Sequence, residues 1–184
     1  ALIHPFDDRY VIAGQGTAGL ELMAQAKAVG AVPDAVLVCC SGGGLTAGVA
    51  LAMEELQPTA KVHSVEPAGF DDYARSLKSG RIEKNPKPSG SICDALMSPS
   101  PGELTFAINK RLLGAGLTVT DAEAAEAVRF AFEVLKIVLE PGGAVALAAV
   151  LAGKIETKGK AIGVIASGGN CDPGLYARIL NREI

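Results

Sequence analysis

Short apolar runs alternate along the chain with stretches whose apolar residues recur every three to four positions. That alternation predicts buried strands separated by amphipathic helices. Val11-Ile12-Ala13 reads as a strand end, followed by Gly14-Gln15-Gly16 and a helix over 17–29. Leu20, Met23, Ala24 and Ala28 share one face of that helix, and Gly30 sits where a helix end favours a left-handed residue. The Val-rich run 34–40 follows the Pro33-Asp34 turn and is expected to be a strand buried on both faces. A Gly-rich turn over 41–44 leads into a helix ending near Leu56. Residues 61–65 form the next predicted strand and 70–78 a helix closed by Gly80.

Residues 81–101 hold four of the ten prolines and read as a long loop between well-patterned segments. A helix over 103–113 and a short strand over 117–119 come next. Thr120 and Glu123 have capping-box spacing, and the helix they open is expected to run to about Val138. Pro141 opens another helix, over 142–152, so apolar that it is expected to be central. Residues 160–166 form the last predicted buried strand, and 167–170 turn into a terminal helix. The repeated strand–helix order predicts an α/β fold with an open, mainly parallel sheet and helices on both faces. Ligands of such sheets bind beyond the carboxyl ends of the strands, where both Gly-rich turns fall.

Composition narrows the class. With 184 residues, 49% of them hydrophobic and 20% charged, the chain can bury one sizeable core. Aromatics are 4% and Trp is absent, so Ala, Gly, Val and Leu must fill that core. A net charge of −3 gives no argument for nucleic acid or an anionic membrane, and no apolar run approaches the ~20 residues of a span. Cys39, Cys40, Cys93 and Cys171 form no CxxC pair and lie near neither histidine. They are read as reduced thiols of a cytoplasmic protein, against the alternatives of a disulfide scaffold or zinc site. Cys39 and Cys40 on a strand would point to opposite faces. The chain opens on Ala1-Leu2-Ile3 without an initiator Met, as a truncated or processed fragment would.

Four motifs carry candidate chemistry. In Ser41-Gly42-Gly43-Gly44-Leu45, a strand enters three glycines and then a helix. Backbone N–H groups can converge there on a phosphate; the alternative is a plain tight turn. No Lys-Ser/Thr follows, which excludes a nucleoside-triphosphate loop. Ser167-Gly168-Gly169-Asn170 repeats the strand–turn–helix context and would aim a hydroxyl into the same crevice, unless Ser167 or Asn170 merely caps a helix. Gly14-x-Gly16-x-x-Gly19 fits a dinucleotide fingerprint, but Cys40-Ser41 stand where its acidic partner is expected, so this match is read as a decoy. Glu66, Asp71 and Asp72 fall within seven residues after a strand; they suit a hard cation or a solvated helix start. Glu140, just before Pro141, either hydrogen-bonds a ligand or separates two helices. His4, His63, Tyr10 and Tyr73 have no partner that spacing identifies.

Seven segments, in order, resemble the fold type II pyridoxal-phosphate enzymes, and within them the threonine/serine dehydratases (ammonia-lyases) and serine racemase. They are His4-Pro5-Phe6-Asp7-Asp8, Ala13-Gly14-Gln15-Gly16-Thr17, the turn from Ser41 to Leu45, Glu66-Pro67, Asp94-Ala95, Glu140-Pro141 and Ser167-Gly168-Gly169-Asn170. The resemblance implies that Ser41, Gly42, Gly43, Gly44 and Leu45 bind the phosphate of pyridoxal 5'-phosphate through backbone amides. It implies that Ser167 faces the pyridine nitrogen and that Ala95 and Glu140 flank the cofactor. It implies a divalent cation, Mg²⁺ or Ca²⁺, on Glu66, Asp72 and the carbonyl of Phe70.

The Schiff-base lysine of the family belongs to a segment upstream of His4, and no lysine here has its setting. Residues 1–184 are therefore expected to be the C-terminal part of the cofactor-binding large domain. The smaller domain and the N-terminal part would be absent, with the Ala13–Thr17 stretch leading between the two. Ala95, where relatives often carry Gly, leaves substrate choice open. The parent protein is expected to deaminate a small β-hydroxy amino acid to a 2-oxo acid and ammonia, as a homo-oligomer, a dimer. Alternatives are an amino-acid racemase or a non-catalytic ligand-binding domain. The fragment alone is expected to be inactive and, lacking its complement, to expose apolar surface.

Overall fold

Four strands, β1 (Ala35–Cys39), β2 (Lys61–Pro67), β3 (Leu117–Val119) and β4 (Ile162–Ile165), pair in the order β3-β2-β1-β4. Every pairing is parallel. These positions come from a computed structural model, which describes residues 4–184; Ala1-Leu2-Ile3 lies outside the described residues. Among the described residues seven α-helices accompany the sheet: α1 (Arg9–Ala28), α2 (Gly44–Leu56), α3 (Asp72–Ser79), α4 (Glu103–Leu112), α5 (Asp121–Phe130), α6 (Pro141–Leu151) and α7 (Pro173–Leu180).

The period of two along β1 sorts its side chains. Val36 and Val38 pack with Met23 of α1 and Val49 and Met53 of α2. Leu37 and Cys39 pack on the other face with Val128 of α5 and Ala144 and Ala148 of α6. Helices thus cover both faces, and α6, apolar throughout, lies across all four strands. Small residues let the helices approach closely. Added side-chain atoms at Gly16 and Gly19 of α1 would press on Gly48, Val49 and Ala52 of α2, so these two helices cross nearly backbone on backbone.

Three expectations need correction. No strand end exists at 11–13: α1 begins at Arg9, because the Asp8 side chain accepts the N–H groups of Tyr10 and Val11 and caps the helix there. The dinucleotide-like Gly14-x-Gly16-x-x-Gly19 therefore lies inside a helix and makes no phosphate turn. Helix α5 does not reach Val138. It passes into one π turn over Ala131–Leu135 and stops where Lys136 turns left-handed at φ 61°. Strand β4 is only half-buried, because it forms the edge of the sheet. The Thr120–Glu123 capping box, the Gly30 and Gly80 helix ends and the Pro141 helix start stand as expected. Residues 81–101 hold a single 3₁₀ turn, Asp94–Leu96.

The chain leaves β1 toward β2 on one side, whereas β4 joins β1 on the other. Loops leaving the carboxyl ends of β1 and β4 diverge at this switch point and open a crevice between them.

Candidate functional site

A cavity of about 410 Å³ occupies that crevice. Ser41, Gly42, Gly43, Gly44, Leu45, Ala95, Glu140 and Ser167 all line it, joined by Phe6, Cys39, Thr46, Ser98 and Gly142. Every residue expected to touch the cofactor thus meets in one place, although they span 126 positions from 41 to 167.

On the β1 side, Gly43 caps α2 at φ 94°, a left-handed conformation that favours glycine. No side chain among the described residues caps this helix, and its first turn carries no acidic residue. Among the described residues, the N–H groups of Gly42, Gly43, Gly44 and Leu45 have no partner. Four free donors at a helix N-terminus form a cradle for an anion. The carbonyl side of the turn is tied down: Gly42 O accepts from Thr105 Oγ1 at 2.6 Å and Gly102 N at 3.1 Å, and Gly43 O from Asn109 Nδ2 at 3.2 Å. Side-chain atoms at Gly42 or Gly43 would collide with the Phe6 ring or with Tyr73.

On the β4 side, Gly168 turns at φ 77° against the Glu140 carboxylate. Glu140 Oε2 accepts the N–H of Asn170 at 3.0 Å, and Glu140 N donates to Gly168 O at 3.2 Å. Gly143 leaves no room for a Cβ beside the Ser167 carbonyl. Glu140 and the start of α6 therefore brace this turn, and the Ser167 hydroxyl faces the cavity. Ala95 enters from the 3₁₀ turn, against Gly142.

The expected cation residues lie behind the glycine turn, at the end of β2. Glu66 is fully buried; its two oxygens accept the N–H groups of Tyr73 (2.9 Å) and Ala74 (2.7 Å) at the start of α3. Burial pushes its carboxyl well above the usual range, the Asp72 charge pushes the same way, and the two N–H bonds offset part of this. Asp72 is also buried, and burial raises its carboxyl to about 6 despite its bond from Asn85. Its Oδ2 has no hydrogen-bond partner among the described residues. Among the described residues no group of three or more His, Cys, Asp or Glu side chains forms a metal cluster, so the expected set stays at two carboxylates, Glu66 and Asp72, with the Phe70 carbonyl. Asn85 bridges the two regions: its Nδ2 donates to Asp72 and to Ser98 O, and Ser98 N donates to Ser41 Oγ at 3.1 Å.

Sequence patterns did not expose Thr105, Asn109, Asn85, Ser98 or Cys39 as site partners. Thr105 and Asn109 carry the one legible signal, polar residues one turn apart on a helix, and both prove fully buried. All four cysteines are free, and Cys39 and Cys40 enter different apolar clusters, as their adjacency on a strand implies. Among the described residues no helix is long and apolar enough to cross a membrane.

The family of pyridoxal-phosphate dependent enzymes matches residues 1–168. A serine racemase of Dictyostelium discoideum is 43% identical over 183 residues, covering 98% of this chain and 55% of its own. An L-threonine ammonia-lyase of Thermotoga maritima is 39% identical over 183 residues, covering 99% and 44%. The crystal structure of a T.th. threonine deaminase superposes with a TM-score of 0.88 at 47% identity, covering 94% of this chain and 61% of that one. The chain spans about half the length of the curated relatives it matches. With a parallel sheet, a glycine cradle at the β1 end and a hydroxyl at the β4 end, it belongs to the pyridoxal-phosphate dependent enzymes of fold type II.

Proposed function

We propose that the parent protein is a pyridoxal-phosphate dependent ammonia-lyase that converts a small β-hydroxy amino acid to a 2-oxo acid and ammonia. The observation that carries this is the meeting, in one cavity, of four unpartnered N–H groups and the Ser167 hydroxyl from neighbouring strands. The cradle suits a phosphate, because it offers donors, a helix N-terminus and no competing carboxylate. When bound, pyridoxal phosphate supplies an electron sink for the pair left on Cα when a proton departs. Residues Gly42 to Leu45 would hold its phosphate, and Ser167 would hydrogen-bond its ring nitrogen. A neutral hydroxyl does not hold a proton on that nitrogen as a carboxylate would. The sink is accordingly weaker, which suits loss of a β-hydroxyl over transamination. Ala95 and Glu140, which line the cavity, would flank the cofactor.

Residues 1–184 then form the C-terminal part of the large domain. Among the described residues no lysine lines the cavity, which supports an anchor supplied by the rest of the parent protein and an inactive isolated chain. Glu66, Asp72 and the Phe70 carbonyl would hold Mg²⁺ or Ca²⁺. The unpartnered Asp72 Oδ2 and the mutual repulsion of two buried carboxylates support this reading, since a cation relieves both.

Racemisation is the second reading, favoured by the 43% identity to a serine racemase. Incubating the full-length protein with L-serine or L-threonine, and analysing 2-oxo acid, ammonia and enantiomers, separates them. Keto acid and ammonia as main products support the lyase; D-amino acid in excess overturns it. In the same protein, Mg²⁺ or Ca²⁺ should raise Tm, and Asp72→Asn should abolish that rise; an equal rise in the variant removes the cation site.

A further inference from the structure

Cys39 plays no part in the reading above, yet it lines the same cavity, and its Sγ lies 2.8 Å from Ser167 Oγ. It is the last residue of β1, one step beyond the final β1–β4 register pair, Val38 with Ile165. Its side chain therefore reaches the start of the turn that follows β4. Among the described residues, Ser167 Oγ has no other hydrogen-bond partner. The Ser167 backbone is held separately, its N–H on Gly143 O at 3.3 Å and its carbonyl against Gly143, so the hydroxyl direction is what remains to be set.

We propose that Cys39 is a positioning residue that donates its S–H to Ser167 Oγ and so leaves the serine proton free for the pyridine nitrogen of the cofactor. This rests on the assignment of Ser167 to that nitrogen. A hydroxyl has one proton and two lone pairs, whereas a thiol is a weak donor and a weaker acceptor. If the serine proton pointed at sulfur, the ring nitrogen would face only lone pairs and repel them. The opposite polarity satisfies all three atoms: S–H to oxygen, then O–H to nitrogen. It needs the thiol protonated, since a thiolate would draw the serine proton to itself. Burial, chiefly, pushes the Cys39 thiol up; the Ser167 contact and a backbone hydrogen bond offset part of this, the Glu140 charge adds to it, and the net shift is upward. Cys39 would thus set the polarity of the short hydrogen-bond chain that tunes the ring.

The test uses the full-length parent protein loaded with pyridoxal phosphate carrying ¹⁵N in its ring. The readouts are the ring ¹⁵N chemical shift and the dissociation constant of the cofactor. Cys39→Ala should move the resonance away from the wild-type position and weaken binding about threefold to tenfold, the loss of one modest hydrogen bond. Cys39→Ser, which restores a donor, should return both toward wild type. Ser167→Ala should move both further, and adding Cys39→Ala to it should change neither again. The proposal is overturned if Cys39→Ala leaves the resonance in place while Ser167→Ala shifts it, or if Cys39→Ser fails to rescue. If Ser167→Ala itself leaves the resonance unmoved, the assignment of Ser167 falls instead. Where the alanine variant folds poorly, Cys39→Val keeps the buried volume without a donor and is read in the same way.

Discussion

Gly43 answers two demands at once. Its φ of 94° is costly for any L side chain, and a Cβ there would run into Tyr73, itself fully buried and hydrogen-bonded to Asn109 at 2.8 Å. Replacement by alanine should cost about 1–3 kcal/mol of stability from the backbone strain. It should also abolish cofactor binding, because the cradle amides must tilt away. Thermal denaturation and absorbance in the 400-nm region check the two effects; a Gly43→Ala protein that binds the cofactor normally would show that the turn is not the cradle. These glycines were legible in the sequence because a missing side chain after an apolar run is itself a signal. Their supports were not. Thr105 reaches Gly42 across 63 positions and Asn109 reaches Gly43 across 66, and no local pattern records a contact at that separation.

At the scale of elements, period and capping carried most of the fold. The strands, the Thr120 capping box and the Pro141 helix were readable because each depends on neighbours within a turn or a pleat. Helix α1 was misplaced for the opposite reason. Its three glycines look like breakers in isolation, but two of them serve a helix crossing with α2 that only the tertiary structure supplies. The segment before it shows how far one element can act on another. The carboxylate of Asp7 accepts the N–H groups of Glu103 and Thr105, each at 3.0 Å, and caps α4 from 96 and 98 residues away. Helix α4 in turn holds the glycine turn through Thr105 and Asn109. Loss of such a cap costs about 0.5–2 kcal/mol. Asp7→Ala should therefore lower Tm and loosen the cofactor without altering any residue of the cradle. Unchanged thermal stability in this variant would contradict the capping role.

The whole molecule presents an apolar ridge where α5 ends. Phe132, Val134, Leu135, Ile137 and Val138 are 41–58% exposed in one stretch, a consequence of the π turn and the left-handed Lys136. A patch of this kind in water drives association. The isolated 184-residue chain is expected to sediment as dimers or larger species in a concentration-dependent way, and Val134→Glu with Val138→Glu should shift it toward monomer. A chain that stays monomeric at all concentrations would contradict this. The crevice itself was foreseeable at this scale, since both glycine turns follow strands, but the β3-β2-β1-β4 order that sets β4 beside β1 was not. Strand order depends on which edge the chain joins after α6, and periodicity along the chain carries no record of that choice.

The central claim is that one cofactor is gripped at both ends by turns from adjacent strands. A crystal structure of the full-length protein with pyridoxal phosphate tests it most directly. The account predicts phosphate density against the amides of residues 42–45 and the ring nitrogen within hydrogen-bond distance of Ser167 Oγ. Density with the ring reversed, or bound away from the β1–β4 crevice, would contradict it.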